Sequence, residues 1–499
     1  MKFKYIALFF SFFLATNSFS QEKEYKYSAN VPSSLLTPNE VETNLLGTLK
    51  FTDGLPDEET VNKTYDFLTV SRGVQAFLDG MPAVSLYAML EGLKDAGIQP
   101  GDVATYEDLM DARTLFLTAN STTPYIVGEI DLKNGPVVLE IAQPVLGFVN
   151  DAFFRFVADI GLTGMDKGEG GKYLFVGPNY KGDIPEGYIT VNSKTYRHWF
   201  LLRLVAKNNE QKQAMEMFRQ TFNCYPLSEA ENKSKQVFTD LSGKQMNTIH
   251  AVNYDFFEEL NSVIQYEPAD AFNKELLGTF AAIGIKKGEK FNPDNHTKKL
   301  LEEAVAIGNA SARSISFRPR NKDAYFYEDR QWYTSFSGEY DFINNGEMVL
   351  NDRVMFHYMA TGITPAMATP KPGTGSVYAF TAHDSEAKYL DGSKTYKVTM
   401  PAPIPAKDFW SFMVYSTQHR SMLETDQKFA GLDNLNPDVK PNNDGSYTIW
   451  FSPEPPKGHK GNWIQTIPEK GFCVLIRLYG PTEPWFNKTW KPDDLIQVE

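Results

Sequence analysis

The sequence predicts a mainly β chain with helical additions, an α+β class. Two β-sandwich or jelly-roll-like units are expected, with helical segments before and between them. Three observations predict this. Short runs rich in β-branched and aromatic residues recur between Gly, Pro, Asn and Asp. Helix-period stretches gather in two blocks, one before and one between those runs. Strand follows strand with turn signals between them, which suits packed sheets better than βαβ units.

The first element is an address. Lys2 and Lys4 precede an apolar run from Ile6 to Ala15, and Ser18-Phe19-Ser20 sets small residues before Gln21. This is the pattern of a secretory signal peptide over 1–20, too short for a bilayer span, which needs about 20 apolar residues. A periplasmic or secreted location is expected. No cysteine adjoins the cleavage point to carry a lipid, and no later run is apolar enough to insert into a membrane.

The next stretch, 40–250, reads as a helical plus β unit. From Val61 to Ala96 apolar residues recur at helical spacing, and Gly80 and Pro82 should divide them into two or more helices. Thr105 with Asp108 resembles a capping box before a short helix at Leu109. Strands are expected from Tyr125, Pro136 and Lys172. Thr195–Val205 and Glu210–Phe222 both read as mixed or helical. A helical connecting segment, 251–345, holds periodic runs at Asn253–Tyr266, Phe272–Ile283 and His296–Ala312. A β-sandwich unit, 346–495, follows, with strands from Ser376, Thr395, Trp410, Ser446 and Cys473.

Composition sets bounds on function. A chain of 499 residues exceeds one core, which stops growing near roughly 250–300 residues. Hydrophobic content of 42% excludes global disorder. A net charge of −13 argues against nucleic acid as a partner. The only cysteines are Cys224 and Cys473. Cys473 sits in a buried-strand pattern, so a core thiol is the plainer reading, and a disulfide between the two stays open. There is no CxxC, GxSxG, HExxH or phosphate-loop motif. Gly168-Glu-Gly-Gly-Lys precedes a strand and reads as a tight turn. The seven histidines show no metal-ligand spacing, and no metal or cofactor is named by the sequence.

Two ordered motif strings carry a resemblance. The first is Asp151-Ala-Phe-Phe-Arg-Phe-Val-Ala-Asp159-Ile-Gly161, then Gly164-Met-Asp-Lys-Gly168-Glu-Gly-Gly-Lys-Tyr-Leu, Gly182 and Pro185-Glu-Gly-Tyr. The second is Trp410-Ser, Val414-Tyr415, Arg420-Ser-Met-Leu, Thr425-Asp-Gln, Asp444-Gly-Ser, Asn462-Trp-Ile-Gln-Thr, Arg477-Leu-Tyr-Gly-Pro and Glu483-Pro-Trp. Over roughly residues 40–495 the chain resembles the exported proteins that carry DUF1254 followed by DUF1214. That resemblance implies β-sandwich or jelly-roll units, a homo-oligomer, and no secure reaction. The chain departs from the pattern in Asn120-Ser-Thr-Thr-Pro-Tyr125 and in Tyr415-Ser416, where relatives tend to carry an acid. Thr122 and Ser416 thus weaken any acid/base role carried over.

Candidate residues follow from chemistry. His383 beside Asp384 offers a general base if a turn joins them, and His419 beside Arg420 offers a base and a cation together. Asn462 and Trp463 pair an amide with an aromatic platform, the means by which sugars are held. Arg113, Asn120, Tyr125, Asp166 and Lys167 complete the expected binding set. For each, loop or core packing is the plainer alternative. Asp151, Arg155 and Asp159 would share a helix face, as an ion network rather than a substrate site. Arg477 inside an apolar strand needs a partner, either a structural ion pair or a ligand.

Two functions compete. One is a hydrolase- or lyase-type enzyme acting on a small or carbohydrate-like substrate in an inter-domain cleft. The other is a non-catalytic envelope protein that binds glycans or proteins. A deep pocket gathering Arg113, Tyr125, His383, Arg420 and Trp463 would favour the enzyme.

Overall fold

Along the strand Arg197–Leu204, Phe200, Leu202 and Leu204 enter one hydrophobic core, while Trp199 and Leu201 enter another. Period-2 alternation thus makes one strand the wall between two cores. A computed structural model describes residues 26–205 and 210–498, so the expected signal peptide lies outside the described residues. The chain divides into two units, 1–66 and 67–499.

In the first unit, Glu40–Thr43, Gly47–Thr52 and Leu55–Pro56 form a three-stranded antiparallel sheet. The Thr43 hydroxyl accepts from the Leu46 amide at 2.9 Å and donates to the Gly47 carbonyl at 3.0 Å, closing the first turn.

The second unit is a mixed α+β structure whose larger sheets form two pairs, with two short two-stranded sheets beside them. A six-stranded sheet runs in the order Phe238–Asp240, Val103–Tyr106, Tyr125–Asp131, Arg197–Leu204, Val145–Asp151, Phe156–Gly161. A four-stranded sheet runs Ile189–Asn192, Gly171–Val176, Val137–Ile141, Asn223–Pro226. Ile126, Val149 and Phe200 of the first share a core with Leu139, Tyr173 and Phe175 of the second. Later in the chain, Ser376–Thr381, Phe472–Pro481, Ala406–Ser416 and Gly431–Asp433 make one sheet. Trp463–Gln465, Tyr447–Ser452, Thr395–Met400 and Ile496–Val498 make its companion. Phe412 meets Phe451, and Trp410 meets Tyr447, edge to face across these two.

The helices Asp255–Tyr266, Lys274–Ala282, Asn295–Phe317 and Leu350–Met359 pack beside the sheets and join the largest core. Among the described residues no helix is long and apolar enough to cross a membrane.

Three local expectations are corrected. Val61–Ala96 is not broken: one helix runs Glu58–Asp95 through Pro82. Its buried residues Phe77, Met81 and Val84 hold it on both sides of the proline, and tertiary packing outweighs one lost backbone bond. Gly80 is there for contact, since a Cβ would lie 3.0 Å from Leu260. No helix starts at Leu109, whose φ of +68° is left-handed. Thr195–Val205 contains a strand, not a helix; paired on both sides and buried on both faces, it lacks the alternation that marks an exposed strand.

A candidate ligand cavity between the sheets

The strand Phe472–Pro481 is apolar apart from Arg477 and the Tyr479 hydroxyl, and alternation sends Leu475, Arg477 and Tyr479 to one face. Across the antiparallel pair, Tyr378 lies opposite Arg477 and Phe380 opposite Leu475. On the far side, Leu201 and Arg203 leave the strand Arg197–Leu204 on its second face. Phe116–Tyr125, Phe148 and the segment from Ser335 to Met367 supply the remaining walls. These groups enclose about 70 Å³ of free space, room for a few waters or a small molecule.

Arg477 is 3% exposed. Its Nη2 donates to the carbonyls of Thr118 and Ala119 and to the Tyr415 hydroxyl, while its Nη1 is buried without a partner. Burial opposes the Arg477 charge, but the hydroxyls of Tyr415, Tyr479, Tyr125 and Tyr378 facing it raise its pKa above the usual arginine value. Arg203 Nε is also buried and unpartnered, as are the hydroxyls of Ser335 and Thr361. Tyr378 has its pKa raised by burial, against the opposing pull of Arg203 and Arg477. Both guanidiniums therefore act on one phenol. The cavity wall carries no carboxylate, histidine or lysine. A larger groove of about 580 Å³ passes Glu129, Asp131 and Tyr180, but its acids are already engaged by Arg197 and Tyr266.

Of the residues expected from sequence to form a site, Asn120 and Tyr125 line this cavity. Asn120 caps a turn, its Oδ1 accepting from the amides of Thr122 and Thr123 at 2.9 Å. Its Nδ2 donates to the Tyr125 hydroxyl, leaving that hydroxyl's own proton to donate elsewhere. Thr122 contributes its hydroxyl to Tyr479, 3.3 Å away.

The others lie elsewhere. His383 stacks on Tyr389 with centroids 4.7 Å apart, and Arg318 Nε donates to its Nε2 at 3.3 Å. Burial and the Arg318 charge pull its pKa down to about 4. Asp384 does not bond it: Oδ1 accepts from the amides of Glu386 and Lys388, forming a turn. His419 Nδ1 bonds the Ser421 hydroxyl at 2.7 Å, and burial lowers its pKa. Arg420 turns inward at φ +62° and stacks its guanidinium 3.9 Å from the Tyr358 ring centre. Asp166 accepts from the Tyr173 hydroxyl and the Gly161 amide, and Lys167 beside it is exposed. Asn462 clips Lys440 and Thr448, and the Trp463 indole donates to the Ser452 carbonyl at 2.9 Å. Arg113 is exposed and paired with Asp111 at 2.5 Å. Ser416 accepts from the Gln418 amide.

Two readings are corrected in kind. Asp151, Arg155 and Asp159 span a strand, a turn and a strand, not a helix face. Arg155 pairs with Asp151 at 2.7 Å, whereas Asp159 accepts from the Thr364 hydroxyl. Arg477 has no carboxylate partner; carbonyls and a phenol hold it instead. Arg203 carries the same signal, an arginine within a buried apolar strand, in a stretch whose sequence reads as mixed or helical.

Residues 100–226 match the family described as "Protein of unknown function (DUF1254)", and residues 375–483 match "Protein of unknown function (DUF1214)". No curated protein matches the sequence. The fold is similar to that of the VPA0106 protein from Vibrio parahaemolyticus, at 18% identity and a TM-score of 0.53, covering 86% of this chain and 100% of that one. An uncharacterised protein from Burkholderia cenocepacia aligns more weakly, at 10% identity and a TM-score of 0.39 over 88% of this chain and 97% of that one.

Proposed function

The chain belongs to the DUF1254/DUF1214 proteins, and from that premise we propose that it binds a small organic molecule where its two family regions meet. One observation carries this. Four buried polar atoms without partners, from Arg203, Ser335, Thr361 and Arg477, belong to residues that line one cavity. Each such group costs about 1–3 kcal/mol when left unpaired, and native structures satisfy them with water or a ligand.

Binding is favoured over acid–base catalysis. The titratable groups on the wall are arginines and tyrosines, with no carboxylate or histidine to serve as a general base. His383 and His419, the residues on which the enzyme reading rested, are not among the lining residues. A glycan is disfavoured because about 70 Å³ is too small for linked sugar rings. Export, with cleavage before Gln21, is part of the proposal and rests on residues 1–20 alone.

The test begins with the chain purified from Gln21 onward. Mass spectrometry of its denatured extract looks for a retained small molecule, and a compound panel is screened for thermal stabilisation. A retained or stabilising molecule that Ser335→Leu excludes supports the reading. An empty extract, no response to any compound, and a Ser335→Leu chain more stable than wild type would overturn it.

A further inference from the structure

We infer that the molecule held in this cavity is a small organic carboxylate with an apolar or aromatic body. The inference rests on the binding proposal above and deepens it. Its first basis is charge. Arg203 and Arg477 both line the cavity, no acid does, and neither forms an ion pair among the described residues. Two guanidiniums lining one cavity without a counter-ion are costly. An incoming anion supplies the missing charge.

The second basis is geometry. Arg477 is almost fully buried and has committed Nη2 to the protein, leaving Nη1 unpartnered. A planar guanidinium edge matches a planar carboxylate. The hydroxyls of Ser335 and Thr361 can bond the remaining oxygen lone pairs.

The third basis is the rest of the lining. Phe116, Phe148, Phe336 and Phe356 offer hydrocarbon surface without polar atoms. Inorganic phosphate would press its unsatisfied oxygens against these rings. A carboxylate on a short hydrocarbon or one ring leaves nothing polar there.

The experiment measures binding of acetate, butyrate and benzoate to the full chain from Gln21, each against its neutral amide, with inorganic phosphate as a further probe. At least one acid should bind about tenfold tighter than its amide. Arg203→Met should remove that preference, and Arg203→Lys should restore part of it. Arg477→Met is the second variant, with its fold checked by circular dichroism. Amides that bind as tightly as their acids, with Arg203→Met changing neither, would overturn the carboxylate assignment and leave the cavity as a neutral site. Phosphate binding equal to that of the best acid overturns it too. No binding by any acid, amide or phosphate, together with a negative compound panel, overturns both readings.

Discussion

Tyr378 and Arg477 stand directly opposite each other on antiparallel strands, with the guanidinium carbon 5.8 Å from the ring centre. Arg203, on the six-stranded sheet, also acts on the Tyr378 phenol. The two arginines differ in what the protein itself gives them, and their substitutions should separate accordingly.

Arg477→Met strips the carbonyls of Thr118 and Ala119 and the Tyr415 hydroxyl of a common donor. Stability should fall by about 2 kcal/mol in denaturant unfolding. Arg203→Met removes a charge that has no protein partner, so the ligand-free chain should change by less than about 0.5 kcal/mol or gain stability. Equal losses for both would contradict the assignment of Arg477 as fastened and Arg203 as available.

Gly362 lines the cavity at φ +73°, and a Cβ there would lie 2.5 Å from the Phe148 ring. Phe148 is itself held edge-on to Trp199. Gly362→Ala should cost about 2 kcal/mol through backbone strain and overpacking, and should weaken ligand binding by displacing Phe148. Calorimetry on the variant checks both.

Acidification should expose two opposed groups of residues. His383 is drawn down to about 4, and His250 and His357 to about 3, chiefly by burial. Their unfolded forms take protons first, so their stabilisation is complete above about pH 6.5 and is lost as pH falls toward those values. Glu259 and Glu267 are pushed up to about 7 by burial. Their contribution is complete below the ordinary glutamate value and is lost as pH rises through 7. His383→Gln should therefore reduce the stability lost between pH 6.5 and 4. Glu267→Gln should reduce the loss between pH 4.5 and 7. Unchanged slopes in pH-dependent urea melts would count against these burial effects.

Cys224 and Cys473 are unpaired, and burial raises both thiols to about 12. A reductant should leave the melting temperature unmoved, and a thiol reagent should label both only after unfolding. Rapid labelling of the folded chain would show that the sheets holding them open more readily than their packing implies.

Much of the fold was legible. The C-terminal strands were found from clustered aromatic and β-branched residues, because those segments are separated by turn-rich stretches. Helix-period runs placed Asp255–Tyr266 and Asn295–Phe317 to within a few residues. The continuity of Glu58–Asp95 was not legible, since only its neighbours Leu260, Leu301 and Ala304 show why its glycines do not end it. The site was half legible. Arg477 stood out as a charge inside an apolar strand, and Asn120 and Tyr125 bound the stretch where the chain departs from its relatives, but Ser335 and Thr361 sit in irregular chain with no periodicity to read. His383 and His419 misled because adjacency in sequence did not become contact between the paired side chains. Asp384 bonds a turn, and Arg420 turns inward to stack on Tyr358.

Through Nη2, Arg477 grips the carbonyls of Thr118 and Ala119, residues more than half the chain away. One strand of the later region thereby shapes a loop of the earlier one. A fragment ending before Ser376 would keep the loop without its clasp, and a fragment beginning there would keep the clasp without the loop. Neither would keep both walls of the cavity. Tethering on one polypeptide supplies the high effective concentration that such a join requires. A chain split between the two regions would have to regain by assembly what the covalent chain now provides.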